Sequence, residues 1–170
     1  MQQQPPKAVF APPGKLPPAR LPKWLVVATG GAFGALLRLF ITVLIPEEGP
    51  LVWSILGINV LGSALLGMLS VLVALKWSHR PRINLFWGVG VLGGFTTFST
   101  VLVAVVAFPA EATLAQASAS ELWYAYLMAI LYLLLNIVLS VVAAWLGTLA
   151  TEAAMRRKAE GTNPAGGDGA

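Results

Sequence analysis

The sequence predicts an all-α integral membrane protein with four transmembrane helices. Three observations predict it. The chain is 57% hydrophobic and 11% charged, against about 25% charge in a typical soluble domain, and its mean hydropathy is +0.77. Four apolar runs each exceed the ~20 residues a helix needs to cross a bilayer. Ten of the eleven Lys and Arg residues fall in segments that four crossings place on one side. So few charges cannot coat a water-soluble globule, which excludes an ordinary cytosolic enzyme, a disordered chain and a secreted disulfide scaffold. The chain has no Cys and one His, His79. Thiolate metal sites, disulfides and a multi-His site are excluded with them.

Residues 1–23 hold seven of the twelve prolines and four positive charges, Lys7, Lys15, Arg20 and Lys23. They read as a disordered, polyproline-like tail on the cytoplasmic membrane surface. Four spans follow, at about 24–45, 51–75, 83–108 and 122–150. The breaks carry stop signals: Pro46 to Pro50, then Lys76 to Arg82, then Pro109 to Glu121. Trp24, Trp53, Trp77, Trp87 and Trp123 fall at or near the ends, as an interfacial belt places them. Residues 151–170 read as a short cytoplasmic tail. The positive-inside rule puts both termini in the cytoplasm, because the first and third loops carry Glu47, Glu48, Glu111 and Glu121 and no Lys or Arg. With the charge sorted by membrane side, the net +4 does not read as nucleic-acid binding. The chain is one membrane domain.

The spans carry little ionisable chemistry. Only Arg38 is charged within them. Proton-coupled pumps and membrane enzymes use intramembrane carboxylates, and none is present. What remains is Gly, hydroxyls, amides and Phe.

The third span reads Gly88, Gly90, Gly93-Gly94-Phe95-Thr96-Thr97-Phe98-Ser99-Thr100. Adjacent glycines and four hydroxyls in five positions write a poor lipid-facing helix. Close packing through small residues accounts for Gly90-xxx-Gly94 but needs no hydroxyl ladder. The run reads as a broken helix at the bilayer midplane, its freed carbonyls able to hold a cation and its hydroxyls lining a path. Asn59, a lone amide in the second span, faces the bundle or a wet cavity, or acts as interhelical glue. Arg38 either snorkels to headgroups or sits at a vestibule that draws in anions. Tyr132, Asn136 and Ser140 fall at four-residue steps on one stripe of the fourth span, a candidate wet lane.

These residues resemble the CrcB/Fluc fluoride channel family. The resemblance rests on Gly30-Gly31-Ala32-Phe33-Gly34-Ala35-Leu36-Leu37-Arg38, on Ile58-Asn59-Val60-Leu61-Gly62-Ser63 and on Gly93 through Thr100. It implies antiparallel dimers of four-helix subunits with two narrow pores, conducting fluoride passively out of the cytoplasm. It implies a structural sodium ion at the dimer centre, held by the backbone carbonyls of Gly93 and Thr96. Asn59 and Phe98 then line the fluoride path, with Thr97, Ser99, Thr100, Tyr132, Asn136 and Ser140 beside them and Arg38 at the vestibule. Hydroxyls and amides replace the water of a small, strongly hydrated anion. A phenyl edge faces it weakly, without trapping it.

Two departures stand out. The family usually places a second Phe three residues after the first, where this chain has Val101. It commonly has Ser where this chain has Asn136. The strong Lys/Arg bias also conflicts with dual insertion of one chain, so the expected partner in the opposite orientation is a paralogue rather than a second copy. The other classes weighed are a small multidrug-type exporter, which lacks its carboxylate here, and a membrane assembly subunit whose small-residue faces only pack. No enzyme activity is expected.

Overall fold

The computed structural model describes residues 21–46 and 51–161. The proline-rich segment through residue 20, the acidic loop at 47–50 and the tail from 162 lie outside the described residues. The expected tails over 1–23 and 151–170 are therefore described only at their inner ends.

Among the described residues the protein is all-helical, and four stretches are long and apolar enough to cross a membrane: Lys23–Leu44, Trp53–Lys76, Pro81–Leu114 and Ala119–Ala159. Helices α1 (Lys23–Leu44) and α2 (Trp53–Lys76) are the first two spans. The third span is made of α3 (81–95) and α4 (Ser99–Leu114), with Thr96, Thr97 and Phe98 between the two helices. The last span is α5 (Ala119–Gly161). In hydrocarbon every backbone group needs an internal partner, so helices are the economical answer to these apolar runs.

Local chemistry sets the boundaries. Pro22 precedes α1 with φ −61° and ψ 145°, and its carbonyl accepts from the Leu25 N–H at 3.1 Å. Lys76 sits in the last turn of α2, where the helix dipole is negative. Pro81 opens α3, a position at which its missing N–H costs nothing. Asn84–Leu92 then winds as a π-helix, a form that turns up often near functional sites.

The third loop is shorter than the sequence implies. Helix α4 runs through Pro109 to Leu114. A proline removes one helical bond but does not by itself end a membrane helix, and the Thr113 hydroxyl donates to the Pro109 carbonyl at 2.8 Å. The stop comes at Gln116, with φ 55°. There the N–H groups of Gln116 and Ala117 close back onto the Thr113 and Ala112 carbonyls, each at 3.1 Å. Ser118 and Glu121 then form a capping box: the Ser118 N–H donates to Glu121 Oε2 at 2.7 Å and the Glu121 N–H to Ser118 Oγ at 3.4 Å.

Helix α5 continues past Ala150, the expected end of the span, to Gly161. Residues 151–161 are rich in Ala, Glu, Met, Arg and Lys, strong helix formers whose basic members suit a helix C-terminus.

The chief packing contacts are α1 on α3, α2 on α5 and α4 on α5. A small core of Ile55, Ile58, Phe95, Val101, Ala104 and Tyr132 sits where α2, α3, α4 and α5 meet. Large apolar side chains such as Leu36, Phe40, Val138 and Trp145 point outward, the lipid-facing pattern of a membrane helix. Arg82, in the first turn of α3, donates to the Leu21 carbonyl at 2.9 Å. That bond puts the start of α3 and the start of α1 at the same end of the bundle.

Candidate ion pathway

The interruption in the third span is built from hydrogen bonds. Thr96 is extended, with φ −75° and ψ 151°. In an unbroken helix the Thr97 N–H bonds to the Gly93 carbonyl and the Thr100 N–H to the Thr96 carbonyl. Here the Thr97 N–H donates to Asn59 Oδ1 at 2.8 Å, and the Thr100 N–H donates to Thr97 Oγ1 at 3.3 Å. Two side chains thus take over donors that the Gly93 and Thr96 carbonyls receive in a regular helix.

Asn59 is the centre of this arrangement. It is 7% exposed. Its Nδ2 donates to the Thr97 carbonyl at 2.9 Å and to Asn136 Oδ1 at 3.0 Å. The amide therefore grips the Thr97 backbone at both its N–H and its C=O, as a neighbouring peptide group would. Asn136 is 3% exposed, and its own Nδ2 donates to the Tyr132 carbonyl at 3.3 Å. The Thr97 hydroxyl pairs with Ser99 Oγ and Thr100 Oγ1, both at 3.1 Å.

Beside this knot lies a recess of about 260 Å³. Asn59, Ser63, Thr96, Thr97, Phe98, Asn136 and Ser140 line it, with Ile137 and Val141. Five of the residues singled out for a fluoride path, Asn59, Thr97, Phe98, Asn136 and Ser140, come together here. Phe98 is 57% exposed, on the outer face of the bundle.

Four other candidates stand apart. Thr100 and Arg38 line a separate recess of about 310 Å³ with Thr42. Ser99 is exposed and reaches the knot only through Thr97. Tyr132 is 1% exposed; its hydroxyl donates to the Val52 carbonyl at 2.7 Å and its ring meets Trp53 edge-on at 5.7 Å. It is a core residue one turn from Asn136. Gly93 is exposed on the surface of the bundle, and Thr96 is half-buried, its hydroxyl returned to the Leu92 carbonyl at 2.9 Å.

Val101 is wholly buried in the core. Phe95, the nearest other phenylalanine, is also buried, against Gly62. Neither lines the recess. Two residues in the second-span motif gain roles that sequence reading did not assign. Ser63 lines the recess one turn from Asn59, on the same helix face, a spacing that was visible in the sequence. Gly62 lets α3 close on α2: a Cβ there meets the Thr96 methyl and lies 3.1 Å from the Phe95 ring.

The fold and this site define a small multi-pass membrane protein with a carboxylate-free recess, edged by hydroxyls and amides, beside an interrupted span. Comparison with known proteins names the family. The profile of the "CrcB-like protein, Camphor Resistance (CrcB)" family matches residues 25–148, and the chain belongs to that family. It is 38% identical over 136 residues to the fluoride-specific ion channel FluC of Corynebacterium efficiens, covering 78% of this chain and 75% of that one. It is 52% identical over 81 residues to fluoride-specific ion channel FluC 1 of Rhodococcus jostii, covering 48% of this chain and 59% of the relative. For fluoride-specific ion channel FluC 2 of Nocardia farcinica the match is 42% over 89 residues, covering 52% and 64%. The chain thus spans less than two thirds of the length of the latter two relatives.

Proposed function

We propose that the protein is a fluoride-selective passive channel that lowers cytoplasmic fluoride by letting it leave the cell. The observation that carries this reading is the recess at Asn59, in a chain whose relatives are named fluoride-specific ion channels. Its wall offers neutral groups alone: the hydroxyls of Ser63 and Ser140, the Asn136 amide and the Phe98 ring. Neutral donors can replace part of an anion's hydration without holding it as tightly as a fixed cation does. Arg38, in the neighbouring recess, raises the local anion concentration at the vestibule.

A structural sodium ion belongs to this reading. The Gly93 and Thr96 carbonyls would hold it, and their fit is chemical: both lose their usual helical donors, to Asn59 and to the Thr97 hydroxyl. Hard carbonyl oxygens suit an alkali cation. Bound there, the ion supplies a positive charge that offsets the carbonyl dipoles at the surface carrying Gly93.

That surface is the proposed seat of a second subunit in the opposite orientation. A paralogue is favoured over a second copy, because ten of the eleven Lys and Arg residues favour a single orientation, with both termini in the cytoplasm of the plasma membrane. Relatives with numbered names, FluC 1 and FluC 2, are in keeping with paired chains. A cysteine placed at Ala112 and labelled from each side of intact cells tests the orientation; equal labelling from both sides defeats it.

The functional test is transport. Liposomes holding the purified chain, with and without its paralogue, release fluoride far faster than chloride. Failure of every preparation to do so overturns the channel reading.

A further inference from the structure

We infer that Asn136 is a positioning residue, which holds Asn59 in the one orientation that keeps the third span open. The inference rests on the channel reading for its consequence, but its structural part stands on hydrogen bonds alone. Asn59 has one acceptor oxygen and two amide hydrogens. The oxygen takes the Thr97 N–H, one hydrogen goes to the Thr97 carbonyl, and the other goes to Asn136 Oδ1. No amide hydrogen of Asn59 is left for an ion in the recess.

This divides labour between two amides. Asn59 braces the backbone, and by taking the Thr97 N–H it leaves the Gly93 carbonyl without its helical donor. Asn136 completes the brace from α5. Its oxygen satisfies the hydrogen of Asn59 that the Thr97 backbone cannot reach, so rotating or withdrawing the Asn59 amide leaves a buried donor unpaired. Asn136 gives one of its own hydrogens to the Tyr132 carbonyl, and the other is the amide donor offered to the recess. Tyr132 in turn is fixed by its bond to the Val52 carbonyl at the start of α2. The chain Val52–Tyr132–Asn136–Asn59–Thr97 ties α2 and α5 to the interruption. A serine at position 136 is too short to accept from Asn59 across the same gap, so the amide sets how firmly this protein holds the break.

Hydrogen–deuterium exchange of the peptide spanning residues 96–101, on purified protein in lipid nanodiscs, reads the brace without reference to transport. Asn136→Leu removes the acceptor and is expected to speed exchange at Thr97 about tenfold, the equivalent of about 1.4 kcal/mol. Asn136→Asp keeps an oxygen toward Asn59 but loses the bond to the Tyr132 carbonyl along with the recess donor; its exchange is expected to stay closer to the parent than to Asn136→Leu, while fluoride release from liposomes falls. Should Asn136→Leu fail to assemble, Asn136→Ser takes its place with the same expected acceleration. Unchanged exchange in the acceptor-less variant overturns the inference, and so does exchange in Asn136→Asp as fast as in Asn136→Leu. Because exchange is measured on the protein itself, a parent chain that fails to conduct fluoride defeats the channel reading and leaves this one standing or falling on its own.

Discussion

Two kinds of helix contact hold this protein, and they solve different problems. At one, α1 meets α3 and α2 meets α5 through glycine. A Cβ on Gly34 runs into the Val91 carbonyl oxygen and lies 2.8 Å from the Phe95 nitrogen; one on Gly147 runs into the Ala64 carbonyl oxygen. At the other, Asn59, Thr97 and Asn136 meet through directed hydrogen bonds. Lipid tails are as apolar as leucine, so greasy surface alone does not drive helices together in a bilayer. Close backbone approach and polar bonds must do it instead. The glycine contacts supply a frame that tolerates no added volume. The polar contact supplies the place where the backbone leaves the helix and polar groups face a recess.

The contrast can be broken or sharpened in order of expected effect. Gly34→Val strikes the frame: α1 and α3 cannot separate locally, and no monodisperse protein is expected on size exclusion. Parent-like recovery would show that the contact yields. Phe98→Ile strikes the recess and leaves the frame. Fluoride release from liposomes is expected to fall to the leak of empty vesicles with assembly intact, and unchanged release removes Phe98 from the path. Exchanging sodium for N-methylglucamine tests the carbonyls of Gly93 and Thr96. A site filled at about 100 times its Kd contributes about 2.7 kcal/mol, so the thermal midpoint in detergent is expected to drop by several degrees; an unmoved midpoint counts against the ion. Tyr132→Phe removes one hydrogen bond to Val52 and is expected to destabilise by about 1 kcal/mol in a denaturant titration. Gly57→Ala serves as the control, since a Cβ there has nothing within 4 Å. It is expected to be neutral or to gain up to about 1 kcal/mol of helix propensity, and a clear loss would mean that Gly57 has a contact the single chain does not show.

Much of this was readable in the residues. Hydropathy located all four spans, because burial in lipid demands an uninterrupted apolar run and little else. The glycine and hydroxyl run pointed to positions 93–100, and Asn59 was conspicuous as an amide among aliphatics. Other features were not readable. Pro109 looks like a stop, yet α4 passes through it, because a single missing donor does not end a membrane helix. The tail beyond Ala150 looked like the end of structure, yet helix-forming residues carry α5 to Gly161. Tyr132, Asn136 and Ser140 share a stripe, but only the last two reach the recess; the stripe turns with the helix, and Tyr132 meets the core first.

The amino-acid sequence alone determined that the chain lives in a membrane, how many times it crosses, and which residues bring polar chemistry into the lipid. Those are properties of composition and spacing, summed along the chain. Tertiary structure decided what each polar group does. Whether Asn59 offers its amide to an ion or to the Thr97 backbone depends on which acceptors come within 3 Å, and those arrive from residues 38 and 77 positions away. A hydrogen bond is a matter of tenths of an ångström and of direction, and only the folded bundle sets both.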